Sequence, residues 1–247
     1  ISFQKMKNDS IRFIKKIGYK YSFKENNKSF QLLFDFDNPD PFHFLKKKIK
    51  ADTKRQVKRL DKLGKLVFYT ATTKKEKIII IDKMIEQKKR RYNETGVWNM
   101  FSNISYVNFY KKLSELDSNY FNIHCSALSI NNKILATHVG MYNKNEYLYL
   151  MPTYEGGKYK KYSLGRVLLM DLLKLSYKKK IKIFDFTIGG EQYKKDWCNL
   201  EMSLFESVKF KNTKGAIYFS YLRIKDKAKK TTFVPYLYNF LLKIFRK

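Results

Sequence analysis

Two short runs in the second half of the chain hold the residue types that group transfer uses. The first is Tyr162-Ser163-Leu164-Gly165-Arg166, at the head of an amphipathic stretch in which Leu164, Leu168, Leu172 and Leu175 fall in line over residues 163–179. That period predicts a helix. The N-terminus of a helix carries unpaired N–H groups and a partial positive charge, which hold a pyrophosphate where a small residue lets it approach. Ser163 can cap, Gly165 gives room and Arg166 adds a cation. An ordinary capped helix accounts for the same residues, and the Gly-x4-Gly-Lys-Ser/Thr spacing of a P-loop is missing. The second run, Asp185 to Trp197, follows a buried-strand pattern at 181–188 and brings Asp185, Glu191, Tyr193 and Lys194 to a strand end. Ligands in sheets with crossover connections gather at such carboxyl ends. A strand-end turn whose acids cap the next helix is the plainer reading.

His138 is the first candidate for a general base, since an imidazole titrates near neutral pH. His124 and Cys125 are neighbours in a strand and point to opposite faces, so they cannot form a nucleophilic pair. Cys125 and Cys198 are the two cysteines, with no CxxC or His/Cys cluster, and no metal site is expected.

The elements that must position these residues follow from periodicity. A short helix is expected at 9–22 with a stop at Gly18, and a strand at 29–36 broken by Asp37-Asn38-Pro39-Asp40-Pro41. A basic helix is expected at 52–63, capped by Asp52 or Thr53 and closed by Gly64, then a strand at 65–70 and helices at 76–93 and 103–116. A meander follows at 121–130, 133–142 and 146–152, turned by Asn131-Asn132 and by Asn143-Lys144-Asn145. The strand, helix, strand order of 146–152, 163–179 and 181–188 is a crossover unit and makes its two strands parallel. A last strand is expected at 203–210, then a basic aromatic tail at 216–247, helical in pieces.

The chain has 247 residues, 19 Tyr and 20 Phe, which is ample for a core and excludes a disordered chain. Lysine and arginine total 52 against 22 acids, a net charge of +30. Compositional bias explains such a charge, and so does an anionic partner such as nucleic acid, phospholipid or a nucleotide-bearing substrate. No run of about 18 apolar residues is present to span a bilayer, and a cytoplasmic setting is expected. In the tail, Leu237, Phe240, Leu241, Ile244 and Phe245 alternate with Lys243, Arg246 and Lys247. That pattern suits docking on the domain itself or contact with an anionic membrane surface.

The order of basic helix, meander, His138, Ser163-Leu164-Gly165-Arg166 and Asp185 to Trp197 resembles the GNAT superfamily. More narrowly, it is similar to the GNAT-type acetyltransferases of cellulose and exopolysaccharide biosynthesis, over roughly residues 30–210. The resemblance implies an α/β fold with a mixed twisted sheet, an antiparallel meander and one parallel crossover pair. Relatives of that family, the Fem-type transferases, carry two such domains in tandem. Residues 1–50 are therefore expected to be the end of a first domain, 51–215 the acyltransferase domain and 216–247 a tail.

It further implies acetyl-CoA or another acyl-CoA as co-substrate. Backbone around Tyr149 and Leu150 would hold the thioester, and Ser163, Leu164, Gly165 and Arg166 the pyrophosphate. An amine or hydroxyl would attack directly, with His138, Glu191 or Asp185 as base and Tyr193 or Tyr149 donating to the leaving thiolate. Lys194 and Trp98 would meet a saccharide or other small acceptor. Two other functions fit: a Fem-type transferase that takes its acyl group from aminoacyl-tRNA, and a non-catalytic nucleic-acid-binding module built on the basic helix.

Overall fold

The computed structural model describes residues 2–18, 23–116, 118–189 and 191–208, with 210, 212–214, 216–217 and 219–220 beyond them. The expected membrane-facing segment 234–247 lies outside the described residues. The described elements are β1 (Ser2–Met6), α1 (Asn8–Lys16), β2 (Lys24–Leu33), α2 (Lys47–Asp61), β3 (Leu66–Thr70), α3 (Lys74–Thr95), α4 (Ile104–Leu113), β4 (Asn122–Ile130), β5 (Lys133–Tyr142), β6 (Glu146–Tyr154), α5 (Leu164–Lys178), β7 (Ile183–Ile188), α6 (Gln192–Trp197) and β8 (Leu200–Val208). Two 3-10 turns, Met100–Ser102 and Gly157–Tyr162, join them.

The chain forms two compact units, residues 28–202 and residues 1–27 with 203–247. In the smaller unit β1 pairs antiparallel with β8 at Ser2 with Val208 and Phe3 with Ser207. There α1 turns Ile11 and Ile14 inward. In the larger unit the strands run β2-β7-β6-β5-β4-β3. Each pairing is antiparallel except β6 with β7, which is parallel, as the crossover through α5 requires. The sheet is thus the mixed sheet expected. Residues 28–50 were expected in a preceding domain. They fall in the larger unit, because β2 pairs with β7 from Ser29 opposite Ile188 to Leu33 opposite Ile183.

Period two along the meander sends successive side chains to two apolar layers. Leu128 and Ala136 join Leu168, Leu172, Leu173 and Phe184 under α5. Ala127, Cys125 and Val139 join Ile80, Ile81, Met84 and Ile85 of α3 on the other face. The start of α3 is fixed by a capping box: Thr73 accepts from the Glu76 N–H and Glu76 reaches back to the Thr73 N–H. Asn131 and Asn132 take positive φ at 47° and 63° in the β4–β5 turn, as that turn demands.

The basic helix departs from its expected start. It begins at Lys47, so Asp52 and Thr53 lie inside it rather than at its cap. Thr53 donates to the Ile49 carbonyl at 2.7 Å, and the Asp52 carboxylate is spent on Arg55 and Arg166. The helix also stops one residue earlier than Gly64 at C′ would allow, with Lys62 as its C-cap.

Burial predicts where this fold is fragile. Leu168 is fully buried between α5 and the sheet, so Leu168→Ala should lower unfolding free energy by about 3 kcal/mol through lost transfer and a cavity. Ile104→Ser, on the largely exposed α4, should change it by less than about 0.5 kcal/mol. Urea unfolding of the two variants beside the parent chain measures both.

Candidate active site

The site begins where two strands stop pairing. β6 and β7 pair at Glu146 with Ile183, Tyr147 with Phe184 and Leu148 with Asp185, and then part, although β6 runs on to Tyr154 and β7 to Ile188. A bulge marks the same place: Val139 faces Met151 but Met141 faces Leu148, so β6 carries one extra residue opposite Gly140. Gly140 is needed there, because a Cβ would overlap the His138 ring and the Leu148 carbonyl oxygen. On the β7 side, Asp185 is buried and accepts from Ser29 Oγ at 2.7 Å, Gln31 Nε2 at 2.7 Å and the Thr187 N–H at 2.6 Å. The last of these holds Thr187, a β-branched residue, at φ 62°, a strained backbone of the kind found at functional sites.

Past the last β6–β7 pair, β6 borders a cavity of about 570 Å³. Tyr149, Pro152 and Tyr154 of β6 form one wall, and Glu191, Tyr193 and Trp197 another. Arg90, Arg91 and Glu94 from the end of α3 line a third side. Ser163, Leu164, Gly165 and Arg166 line it at the start of α5. Ser163 does not cap as expected: it stands at φ 50° and makes no side-chain cap, so its hydroxyl leaves the first turn open. Gly165 is where the Tyr154 ring packs against the helix, since a Cβ would lie 2.9 Å from Tyr154 Cε1. The cavity thus has an uncapped helix N-terminus, with its N–H groups and partial positive charge, beside lysine and arginine.

Residues 47–195 match the acetyltransferase (GNAT) domain family. The chain belongs to that family. No curated protein sequence matches it. Several solved structures share its fold. A structure named FemX is 12% identical, with TM-score 0.60, covering 83% of this chain and 71% of that one. L-PGS from Bacillus licheniformis is 11% identical, with TM-score 0.56, covering 86% and 68%. A conserved protein of unknown function from Bacteroides thetaiotaomicron is 13% identical, with TM-score 0.57, covering 83% and 68%.

In this GNAT domain the cavity gathers Tyr149, Ser163, Leu164, Gly165, Arg166, Glu191 and Tyr193. Their states differ from simple expectation. Arg166 lines the cavity but its guanidinium is paired with Asp52 and lies 3.3 Å from Ser163 Oγ. Burial, then Glu191 and Tyr154, push the Tyr193 phenol up to about 12. Burial holds Tyr149 well above the usual phenol range. Burial alone would raise Glu191, but the Lys194 ammonium at 3.0 Å more than offsets it, leaving a carboxylate below its ordinary value.

Other expected site residues stand apart from the cavity lining. His138 is completely buried, with its ring stacked on Tyr149 at 4.9 Å and its Nδ1 3.1 Å from the Tyr147 hydroxyl. Burial, then the neighbouring His124 and Lys88, drive its pKa well below neutrality. It is therefore a neutral ring behind Tyr149, not a base open to the cavity. Asp185 holds backbone and strand neighbours. Lys194 is buried and donates to the Ile188 carbonyl at 2.9 Å, closing the turn after β7 rather than reaching outward. Leu150 and Trp98 are exposed outside the lining, Trp98 packing edge-on against Tyr106.

Periodicity did not point to the α3 contribution. Arg90 donates to the Tyr154 carbonyl at 2.5 Å and pairs with Glu155, while Lys83 also reaches Glu155 at 3.0 Å. Together they tie the end of β6 to α3. The signal lay in a lone acid, Glu155, just ahead of Gly156-Gly157 and facing a helix rich in Lys and Arg. Lys88 is half-buried on the same helix, and burial followed by Arg91 pulls it down to about 8.

A buried chain, Thr70 to His124 to Tyr147 to His138, runs beneath the site, with Thr70 Oγ1 3.1 Å from His124 Nε2 and the His124 ring on the Tyr147 hydroxyl. Burial, then Lys179 and Lys77, lower His124 to about 3. Both imidazoles fold neutral with depressed pKa values. Below about pH 6.5 the unfolded chain takes up protons that the folded chain refuses, so their contribution is whole above that pH and lost as pH falls. The loss should reach about 1.4 kcal/mol per pH unit for each ring. Urea unfolding across the range from neutral to mildly acidic pH should show a shallower slope in His138→Gln than in the parent.

Proposed function

We propose that this GNAT domain moves an acetyl or other acyl group from an acyl-CoA thioester to the amine, or the hydroxyl, of a saccharide. The observation that carries the reading is the cavity at the parting of β6 and β7, with the open N-terminus of α5 along its side. The residues fit such a donor. Gly165 lets the Tyr154 ring lie close against the helix and so keeps the cavity open, and the uncapped start of α5 suits a pyrophosphate. Lys160 lies in the same lining. Asp52 neutralises much of Arg166, so backbone N–H groups carry more of the phosphate binding than the side chain does. Backbone at the Tyr149–Leu150 bulge, freed from β7, suits the thioester carbonyl.

The reaction needs positioning and two proton movements. The acceptor nitrogen attacks the thioester carbonyl carbon, the C–N bond forms, the C–S bond breaks, and the thiolate leaves. Tyr193, a phenol protonated at neutral pH, donates to the thiolate. Glu191, an ionised carboxylate in the cavity lining, receives the proton of the attacking amine and aligns it. The saccharide acceptor, in envelope or exopolysaccharide assembly, rests on the resemblance carried by Asp185 to Trp197. The reading implies a cytoplasmic enzyme, working at or near the inner membrane face. No described helix is long and apolar enough to cross a membrane.

A second donor, the aminoacyl ester of tRNA, draws support from the charge of +30 and from the likeness in fold to FemX. Calorimetry with CoA separates the two. The parent chain should bind CoA in the micromolar range. Gly165→Ala, by pushing the Tyr154 ring across the cavity, should weaken binding about tenfold. Tyr154→Ala in the Gly165→Ala background should recover most of it. A folded parent chain that ignores CoA refutes the acyl-CoA reading and leaves the tRNA donor.

A further inference from the structure

The connection between α3 and α4 leaves an apolar surface facing solvent. Gly96 closes α3 in the left-handed conformation, at φ 67°, and the chain turns outward through Val97 and Trp98. Trp98 is 66% exposed, whereas Trp197, the other tryptophan, is 2% exposed. The Trp98 ring stands edge-on to Tyr106, with 6.0 Å between centroids. Phe109 follows Tyr106 by three residues on α4 and so shares its side of the helix. Val97, Tyr106 and Phe109 are exposed as well, and so is Ile104 at the head of α4. The inward side of α4 is a different one, where Val107, Tyr110 and Leu113 pack against the α3 layer.

Large apolar groups exposed together mark a contact surface, and charge says of which kind. Residues 95–114 contain no aspartate or glutamate. Lys111 is tied to Asp82, but Lys112, three residues after Phe109, stands exposed at the edge of the patch. Ahead of it, α3 carries Lys88, Lys89, Arg90 and Arg91 in a row. A second copy of the chain would bring the same acid-free face and a net charge of +30 against its like. On a nucleic acid, the aliphatic Val97 and Ile104 add nothing to a phosphate backbone. An anionic lipid surface suits every feature. Tryptophan and tyrosine rings lie at headgroup level, aliphatic and phenyl groups enter the acyl boundary, and lysines stay with the phosphates. We propose that the α3–α4 connection docks on an anionic phospholipid membrane, with Val97, Trp98, Tyr106 and Phe109 inserted and Lys112 at the headgroups. Arg91 and Glu94, which line the cavity, come just before it in the chain, so docking holds that wall of the cavity at the surface. The proposal rests on the membrane-side setting of the proposed function and not on the identity of the acyl donor.

Trp98 reports on the contact, because Trp197 is already buried. With vesicles of phosphatidylglycerol and phosphatidylcholine at about 0.15 M salt, the parent chain should co-sediment. Its tryptophan emission should move to shorter wavelength and gain protection from acrylamide. Vesicles of phosphatidylcholine alone should retain much less of the chain. Val97→Ser/Phe109→Ser, which leaves the Trp98–Tyr106 pair in place, should bind the anionic vesicles about tenfold more weakly and unfold at the parent's urea midpoint. A parent chain that ignores anionic vesicles overturns the proposal. Binding with the emission unchanged, or with the variant held as tightly as the parent, overturns it too, since other basic surface then accounts for the binding. Trp98 shielded before any vesicle is added, in a chain that sediments as a dimer, assigns the patch to a second copy and overturns it as well. CoA calorimetry without vesicles is read separately, so none of these outcomes decides the acyl-CoA reading.

Discussion

The parting of β6 and β7 is the constraint on which the rest of the site depends. A parallel pair in mid-sheet would ordinarily run its ladder to the strand ends, because unpaired backbone groups in a sheet interior are costly. Here the ladder stops after Leu148 and Asp185, and separate devices keep it open. The extra residue of β6 opposite Gly140 turns that strand's backbone. Arg90, anchored by Glu155, fixes the Tyr154 carbonyl at the far end. Asp185 pins β7 to β2 and holds Thr187 in its strained conformation. The strands cannot close without breaking buried, charge-assisted hydrogen bonds, so the groups left between them remain available to a ligand.

Charge is arranged to match. Near the cavity the acids serve inside the protein: Asp52 on Arg166, Glu155 on Lys83 and Arg90, Glu191 on Lys194. With 52 basic residues against 22 acids, such pairing leaves a large positive surplus for solvent and for anionic partners. The lysines around Tyr159 and Tyr162 belong to that surplus and line a concave surface rather than a convex one. A cation's field is concentrated in a low-dielectric concavity, so these few charges act on a ligand more strongly than the many scattered over the helices.

Much of the frame was legible because it rests on local periodicity. The leucines of α5, the asparagine turns of the meander and the strand order each follow from rules about nearest neighbours, and each appears where expected. The α5 N-terminus and the Glu191–Tyr193 turn were legible for the same reason. What sequence could not weigh was burial. His138 has the right chemistry, but its place in the sheet turns it toward Tyr147 and Tyr149. Asp185 reads as a base and Lys194 as a cation for the acceptor, and the two fasten β2, β7 and the turn that follows. Arg90 carries no signal of its own within Lys88-Lys89-Arg90-Arg91, since its value comes from a carboxylate 65 residues away. Contacts of that span leave no periodic trace.

The sealing of His138 also says what kind of chemistry the cavity favours. Tyr147, Phe184, Tyr149 and Phe186 form a continuous aromatic layer, with Tyr147 and Phe184 stacked at 4.9 Å and Phe184 edge-on to Phe186 at 5.1 Å. Such a layer excludes water and is stiff, because rings have few rotamers to lose. Its cost is that no imidazole within it can take up charge. The proton-carrying groups left at the cavity are phenols held protonated by burial and a carboxylate held ionised by Lys194. A donor protonated at rest and an acceptor ionised at rest suit a reaction limited by placement of two reactants more than by a difficult proton abstraction. Attack by an amine on a thioester is of that kind, since the nucleophile needs little activation and the leaving thiolate is stable.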